Sequence, residues 1–363
     1  MKMIKNKSKV LLSTVLILTM VMSLMIGCTS KPTNSEPTVS KGAEEIEPKT
    51  KTIIDSVGRE VEIPTKIEKV VTVGPVGVLN CFVFTMGEGN TIANGLPPRF
   101  AKSKNWKYHS IFNPAIATNP VVEDGNAVSM ETLIEINPDI VLTMDEKTAD
   151  DIWNKGMNAI VLNWKNPEDV KEAVNLLGQI YNKPERAEEY SKYFDRTLAK
   201  VKDTASKISE EKRVRVLNTS LGSLSQPHVI AEWWIEEAGG ISVTGGIERK
   251  QRLEFSLEQL LEWNPEVMIV SSQDDKELAY SDERFKDLEA VKNKRIYVTP
   301  SFGHVWANRT MEQPLTVLWA AKLFYPEEFK DINMNEELKL FSEKFFSYKL
   351  SDEESKEILG DMN

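Results

Sequence analysis

One fourteen-residue phrase occurs twice in the chain, Ser129-Met-Glu-Thr-Leu-Ile-Glu-Ile-Asn-Pro-Asp-Ile-Val-Leu142 and Ser256-Leu-Glu-Gln-Leu-Leu-Glu-Trp-Asn-Pro-Glu-Val-Met-Ile269, at an offset of 127 residues. Two copies so far apart imply two similar lobes. Each copy opens on Ser as a helix N-cap, carries Leu at helical spacing, stops at Asn-Pro and continues as a short apolar run. That order reads as helix, turn and buried parallel strand. Generic α/β grammar also produces Asn-Pro exits followed by strands. The register of Ser, Glu, Leu, Glu, Asn and Pro across both copies favours duplication.

The surroundings of the copies agree. Residues Thr52 to Pro64 form two short alternating runs around Gly58, a β-hairpin. Strand candidates follow at Lys69–Val73, Thr91–Asn94, Asp139–Thr143 and Ala159–Leu162, then at Val214–Asn218, Ile241–Val243, Val267–Ser271 and Arg295–Val298, separated by helix-length segments. Such alternation predicts parallel sheets covered by helices. Between the two sets, Glu185 to Ser209 has no Gly or Pro and repeats apolar residues three or four apart, from Ala187 and Tyr190 to Ala205 and Ile208. As a helix it would run roughly 35 Å. The expected fold class is therefore α/β: two Rossmann-like lobes with mainly parallel sheets, residues 52–165 and 210–363, joined by one long helix within 166–209, with a ligand cleft between the lobes.

The N-terminus sets the compartment. Lys2, Lys5, Lys7 and Lys9 precede an apolar run from Val10 to Ile26 that ends at Gly27-Cys28. This pattern is a secretion signal, residues 1–27, and Leu24-Met-Ile-Gly-Cys28 resembles a bacterial lipobox, in which Cys28 becomes the lipidated first residue. An uncleaved anchor is the alternative, but the run is at the short limit of the roughly 20 residues a bilayer needs. Residues 28–51 are rich in Ser, Thr, Pro, Glu and Lys and read as a disordered tether. The net charge is −10, and losing the signal removes four lysines and no acid, leaving −14. So acidic a chain is a poor candidate for nucleic acid, and acyl chains rather than charge would hold it at the bilayer.

Several segments taken together resemble one family. They are the lipobox, the opening Asp55-Ser-Val-Gly-Arg-Glu-Val-Glu-Ile-Pro64, the strand-turn Val70-Val-Thr-Val-Gly-Pro75, the paired Ser-x-Glu-x-Leu phrases and Trp319-Ala-Ala-Lys-Leu-Phe-Tyr-Pro-Glu-Glu-Phe329. The family is that of ABC-importer substrate-binding proteins that carry iron–siderophore complexes, haem and cobalamin, with relatives that carry molybdate or tungstate. The resemblance implies a lipid-anchored, extracytoplasmic, monomeric receptor that captures a metal chelate, or alternatively an oxyanion, and delivers it to an ABC permease and its ATPase. It also implies that Glu131 and Glu258, at matching places in the two copies, face the permease; a carboxylate early in a helix is favoured by the helix dipole in any case. A surface chelatase, a metal-handling reductase or a ligand sensor on the same scaffold are the competing functions.

Ligands of open α/β sheets bind beyond the carboxyl ends of the strands. The candidates there are Gly74, Pro75, Arg99, Trp106, Tyr108 and His109 in the first lobe, and Ser220, His228, Trp233, His304, Trp306 and Arg309 in the second. The Gly74-Pro75-Val-Gly77 turn enters a helix, whose free amides suit an oxyanion. Aromatic rings and guanidinium groups suit flat or anionic chelates, although of Trp233 and Trp234 one is expected in the core. His109, His228 and His304 lack the close spacing of a zinc site; His109 and His304 meeting on a chelated iron is the remaining metal option. No resident metal or cofactor and no covalent chemistry are expected.

Overall fold

A computed structural model of the protein describes residues 49–362, apart from 126 and 249–251. The signal segment, Cys28 and the tether up to residue 48 lie outside the described residues.

The hairpin pairs Thr50–Ile54 with Glu60–Pro64, so its first strand takes in Thr50 and Lys51, which composition alone places in the tether. Lys51 earns this position through its ammonium, which donates to the carbonyls of Gln179 (2.7 Å) and Ile180 (2.8 Å) at the end of the helix Pro167–Ile180. Gly58 makes the hairpin turn at φ +85°, a left-handed conformation that suits glycine. Asp55 is buried, and its carboxylate accepts from the amides of Val57 and Arg59 (3.0 Å each) and from Val161 N (3.1 Å). One side chain thus closes the turn and ties the hairpin to the last strand of the lobe.

The first-lobe sheet is parallel, with Ile140–Thr143 between Val70–Thr72 and Ala159–Val161. The strand expected at Thr91–Asn94 shrinks to a single bridge, Val70 to Ile92. Its ladder is replaced by a side chain: Asn94 Oδ1 accepts the Thr72 amide at 2.9 Å. The second-lobe sheet runs Ile241–Ser242, Arg215–Thr219, Val267–Val270, Ile296–Val298, all parallel.

The two copies of the repeated phrase adopt one geometry. Ser129 Oγ accepts from Thr132 N and Ser256 Oγ from Gln259 N, both at 3.2 Å, opening the helices Met130–Ile136 and Leu257–Trp263. Asn137 and Asn264 end them in the left-handed region, at φ 50° and 39°, and the following Pro prevents a further turn. The acid after each Pro has a specific task. Asp139 accepts the Lys69 amide (2.8 Å) and Glu266 the Arg215 amide (2.9 Å), so each copy pins its own strand to the start of its neighbour.

The connecting helix is Pro184–Ala205, 22 residues, or roughly 33 Å. It stops short of Ser209 because its last turn tightens: Lys207 N and Ile208 N donate to Thr204 and Ala205, three residues back, at 3.1 Å. Residues of a strand alternate between faces, and this divides the core. Val70, Ile140, Val216 and Ile269 join Tyr190 and Phe194 of the connecting helix and Leu315 and Trp319 of the buried helix Gln313–Phe324 in one cluster that spans both lobes. Val71, Val141 and Leu133 form a separate core on the outer face of the first sheet, and Leu217, Met268 and Leu260 do so on the second. After the helix Met334–Phe345 the chain returns to the first lobe, where Phe346 and Tyr348 pack on Phe112 at 5.3 and 5.5 Å.

Candidate ligand cleft

The strand Val70–Thr72 leads into Gly74, at φ +87°, and then into the helix Val76–Thr85. Gly77 sits in that helix's first turn with the Trp106 ring against it; a Cβ there would fall 2.2 Å from the ring. Both glycines of the turn are therefore required, one by backbone conformation and one by close approach. Two amides of the turn are already bonded. Gly74 N donates to Glu123 Oε1, and Val76 N bonds Gly74 O at 2.8 Å. The other Glu123 oxygen takes Arg99 Nη2 (3.3 Å), while Arg99 Nη1 donates to Gly125 O at 2.7 Å. Glu123 is buried, which pushes its carboxyl up, against the opposing effect of the Gly74 amide and the Arg99 charge. A carboxylate thus sits on the amide just before the first-lobe helix. Glu123 was not singled out in sequence, where it is a lone acid before an Asp-Gly turn; nothing local marks its partner.

The loop from Pro300 to Arg309 is organised from below by Glu312. Its fully buried carboxylate accepts from His304 N (2.7 Å), Gly303 N (3.1 Å) and Trp306 Nε1 (2.9 Å), and burial raises it to about 8. The same loop carries the contacts between the lobes. His109, from the helix Lys107–Phe112, donates from Nε2 to Gly303 O at 2.8 Å, which leaves Nδ1 to accept from Asn80 Nδ2 at 3.2 Å. Asn80 Oδ1 in turn accepts from Thr72 Oγ1 at 2.7 Å, so a chain of hydrogen bonds runs from the first strand of one lobe into the last loop of the other. Ser301 Oγ donates to Asn105 O (3.1 Å), and Arg309 Nη1 donates to the carbonyls of Trp164 (3.2 Å) and Lys165 (2.9 Å).

These bonds decide where several sequence candidates stand. Trp106, Tyr108, His109, His304 and Trp306 are all buried. Trp106 meets His304 edge-on at 4.7 Å and His109 at 5.4 Å, Tyr108 packs on Phe302 at 4.7 Å, and Trp306 lies against Trp319. In this conformation Trp106, Tyr108, His109 and His304 pack between the lobes, whereas Trp306 packs within the second lobe. Burial lowers His109 to about 4 and His304 to about 3, so both rings are neutral near pH 7. Both nitrogens of His109 are already engaged, which leaves no lone pair for an iron. Among the described residues no group of three or more His, Cys, Asp or Glu side chains could hold a metal ion.

Gly74, Pro75 and Arg99 keep exposed or half-exposed surface in the first lobe, as do Ser220, His228, Trp233 and Arg309 in the second. Ser220 Oγ bonds Ser271 Oγ at 2.7 Å, joining the ends of two central strands. His228 Nδ1 accepts the Ile230 amide at 3.1 Å at the start of the helix Ile230–Glu237. On that helix Trp234 is core and Trp233 is half-buried, stacked 6.5 Å from Phe194 of the connecting helix. Beside them lies a polar group that sequence reading missed: Gln226 Nε2 and Thr244 Oγ1 both donate to Glu232 Oε1, at 3.1 and 2.6 Å. Its members come from three separate segments, so no spacing announces it.

Two α/β lobes with parallel sheets, one connecting helix and a shared loop interface define a bilobed binding protein, and sequence comparison gives the family. The profile described as "Periplasmic binding protein" matches residues 91–301, and the chain belongs to that family. Members are substrate-binding proteins of ABC transporters, not enzymes, and act outside the cytoplasm. The molybdate-binding protein MolA of Haemophilus influenzae is 23% identical over 327 residues, covering 82% of this chain and 92% of that protein. The iron(3+)-hydroxamate-binding protein YxeB of Bacillus subtilis is 22% identical over 81% of this chain and 89% of its own length. The fold matches a periplasmic solute-binding protein of Veillonella parvula (24% identity, 85% and 96% of the two chains, TM-score 0.76). It also matches molybdate-bound MolA (21% identity, 83% and 99%, TM-score 0.72).

Proposed function

We propose that the protein captures a small oxyanion of the molybdate or tungstate type and delivers it to an ABC permease. The observation that carries this reading is the Glu123 carboxylate held by Gly74 N and Arg99 at the carboxyl end of the first strand. The donors an oxyanion needs are assembled there and already hold an anionic group. An incoming dianion would displace Glu123, with Pro75 beside it and with Ser220, His228, Trp233 and Arg309 supplying the facing wall. Arg309 suits that task because its buried Nε–H has no partner. Trp106, Tyr108, His109, His304 and Trp306 then act as the frame that sets the spacing of the walls. The name of the MolA relative supports the same ligand class.

A metal chelate is the second reading. It is favoured by the hydroxamate-binding relative and by a mostly apolar recess of about 740 Å³ lined by Trp106, Lys102, Lys104 and Lys107, which offers room and positive charge to a bulky anionic complex. Calorimetric titration with molybdate, tungstate, sulfate, ferric hydroxamate and haem separates the two. The expected result is binding of tungstate and molybdate, with weaker sulfate. Heat from the ferric complexes alone reverses the order of the readings, and silence from all five sinks both.

The lipid anchor at Cys28 and the docking of Glu131 and Glu258 onto the permease belong to the same proposal. Both glutamates are exposed in the first turns of their helices. Cys28→Ala is expected to abolish acylation and leave the signal uncleaved; normal N-terminal processing of that variant would refute the anchor.

A further inference from the structure

Among the described residues ten large hydrophobic side chains are exposed, and four of them form two pairs at the repeat offset of 127: Ile134 with Leu261, and Trp153 with Tyr280. The second pair ends the helices Glu146–Trp153 and Gln273–Ser281, which run back toward the amino ends of the strands, and Arg59 lies over Trp153 at 5.4 Å. The first pair has no such cover. Ile134 is 58% and Leu261 41% exposed, and neither belongs to a core cluster.

Their neighbours repeat as well. Glu131, Ile134 and Glu135 stand at positions i, i+3 and i+4 of one helix, and Glu258, Leu261 and Glu262 do so on the other; all six are exposed. That spacing puts each triad on one helix face. Leu133 and Leu260, on the opposite faces, are fully buried. None of the four carboxylates takes part in an ion pair among the described residues. A merely solvated face has no need of a branched aliphatic residue between two acids, and here the same departure occurs once per lobe.

Resting on the docking reading above, we infer that Ile134 and Leu261 are the apolar anchors of the docking surface. Each enters a hydrophobic recess ringed by basic residues, one in each half of a two-fold symmetric membrane partner. The acids orient the encounter and respond to salt, whereas the aliphatic side chains hold the complex once water is expelled. Two equivalent anchors on duplicated helices fit a partner with two equivalent halves.

The test is the affinity of the full-length protein for membrane vesicles carrying its permease, at low and high salt, for Ile134→Ser, Leu261→Ser, their double variant and Glu131→Arg/Glu258→Arg. Leu340→Ser, 50% exposed outside the repeat, serves as control. Unfolding temperature and tungstate heat monitor the fold of every variant. Each single Ser variant is expected to weaken binding by roughly tenfold, the cost of leaving one aliphatic side chain unburied, equally at both salts, while the charge reversal acts mainly at low salt. Wild-type affinity of the Ser variants beside a weakened charge reversal overturns this inference and leaves docking by the acids standing. Unaltered affinity in both sets overturns the docking reading itself. Self-association of the wild type that Ile134→Ser abolishes would make the partner a second copy of this chain and overturn the inference as well.

Discussion

The helix-turn-strand units around Ser129 and Ser256 share their cap, exit and strand-pinning bonds, yet the loops that follow the strands share almost nothing. Ser caps, left-handed Asn residues, strand-pinning acids and even exposed aliphatic positions recur at the same offset. The first lobe then presents a glycine turn closed by Glu123 and Arg99, while the second presents Ser220, His228 and the Gln226–Glu232–Thr244 group. Elements that must pack a sheet are constrained by period and volume. Loops at the strand ends are constrained only by what they meet, so a duplicated scaffold can carry two unlike walls.

The largest effect is expected in the two outer cores. Leu133→Ala and Leu260→Ala empty matching, fully buried sites in the two outer cores. Each is expected to cost about 2–5 kcal/mol, and denaturant unfolding of the two variants should give similar losses. A large cost in one lobe only would mean that the copies share a backbone but not a packing solution.

The walls should respond unequally. Arg99→Ala and Arg309→Ala are both expected to weaken tungstate binding by about 1.5–3 kcal/mol, the worth of a charged hydrogen bond. Arg309 also holds the Trp164 and Lys165 carbonyls across the lobes, so its loss should lower the unfolding temperature more than that of Arg99. Unchanged affinity in either variant removes that arginine from the cleft, and equal melting would deny Arg309 its linking role.

The smallest effect tests the capping itself. Ser129→Ala and Ser256→Ala should each cost about 1 kcal/mol. Ser256 should lose more, because Gln259 Oε1 returns a bond to the Ser256 amide at 2.8 Å, whereas Thr132 spends its hydroxyl on Ser129 Oγ. Identical losses would show that the returned bond adds nothing.

Much of the scaffold was legible from residue order. The hairpin, the central strands of both sheets, the connecting helix and the duplicated phrase all announce themselves through period, caps and Asn-Pro exits, which act over a few residues. The edge at Thr91–Asn94 misled because Asn94 satisfies the Thr72 amide with its side chain, a substitution that β propensity does not register. Residue order says less about the proposed cleft. Gly74, Arg99 and Arg309 follow strands and keep exposed or half-exposed surface, whereas His109 and His304 share that position and are consumed by interlobe packing, and Trp306 is buried on Glu312 within the second lobe.

Sequence by itself determined two α/β lobes, their helical link and the matching places of Glu131 and Glu258, because each rests on local pattern or on a repeat within the chain. Tertiary structure alone decided that Glu123 sits on the Gly74 amide, that Glu312 organises the Gly303–Trp306 loop, and that His109 engages Asn80 of its own lobe through one nitrogen and Gly303 of the other lobe through the second. It also revealed that Ile134 and Leu261 stand uncovered at matching places. The physical reason is distance along the chain: Gly303 lies 194 residues from His109, and a hydrogen bond or a covered face between such segments exists only once the whole fold has brought them together.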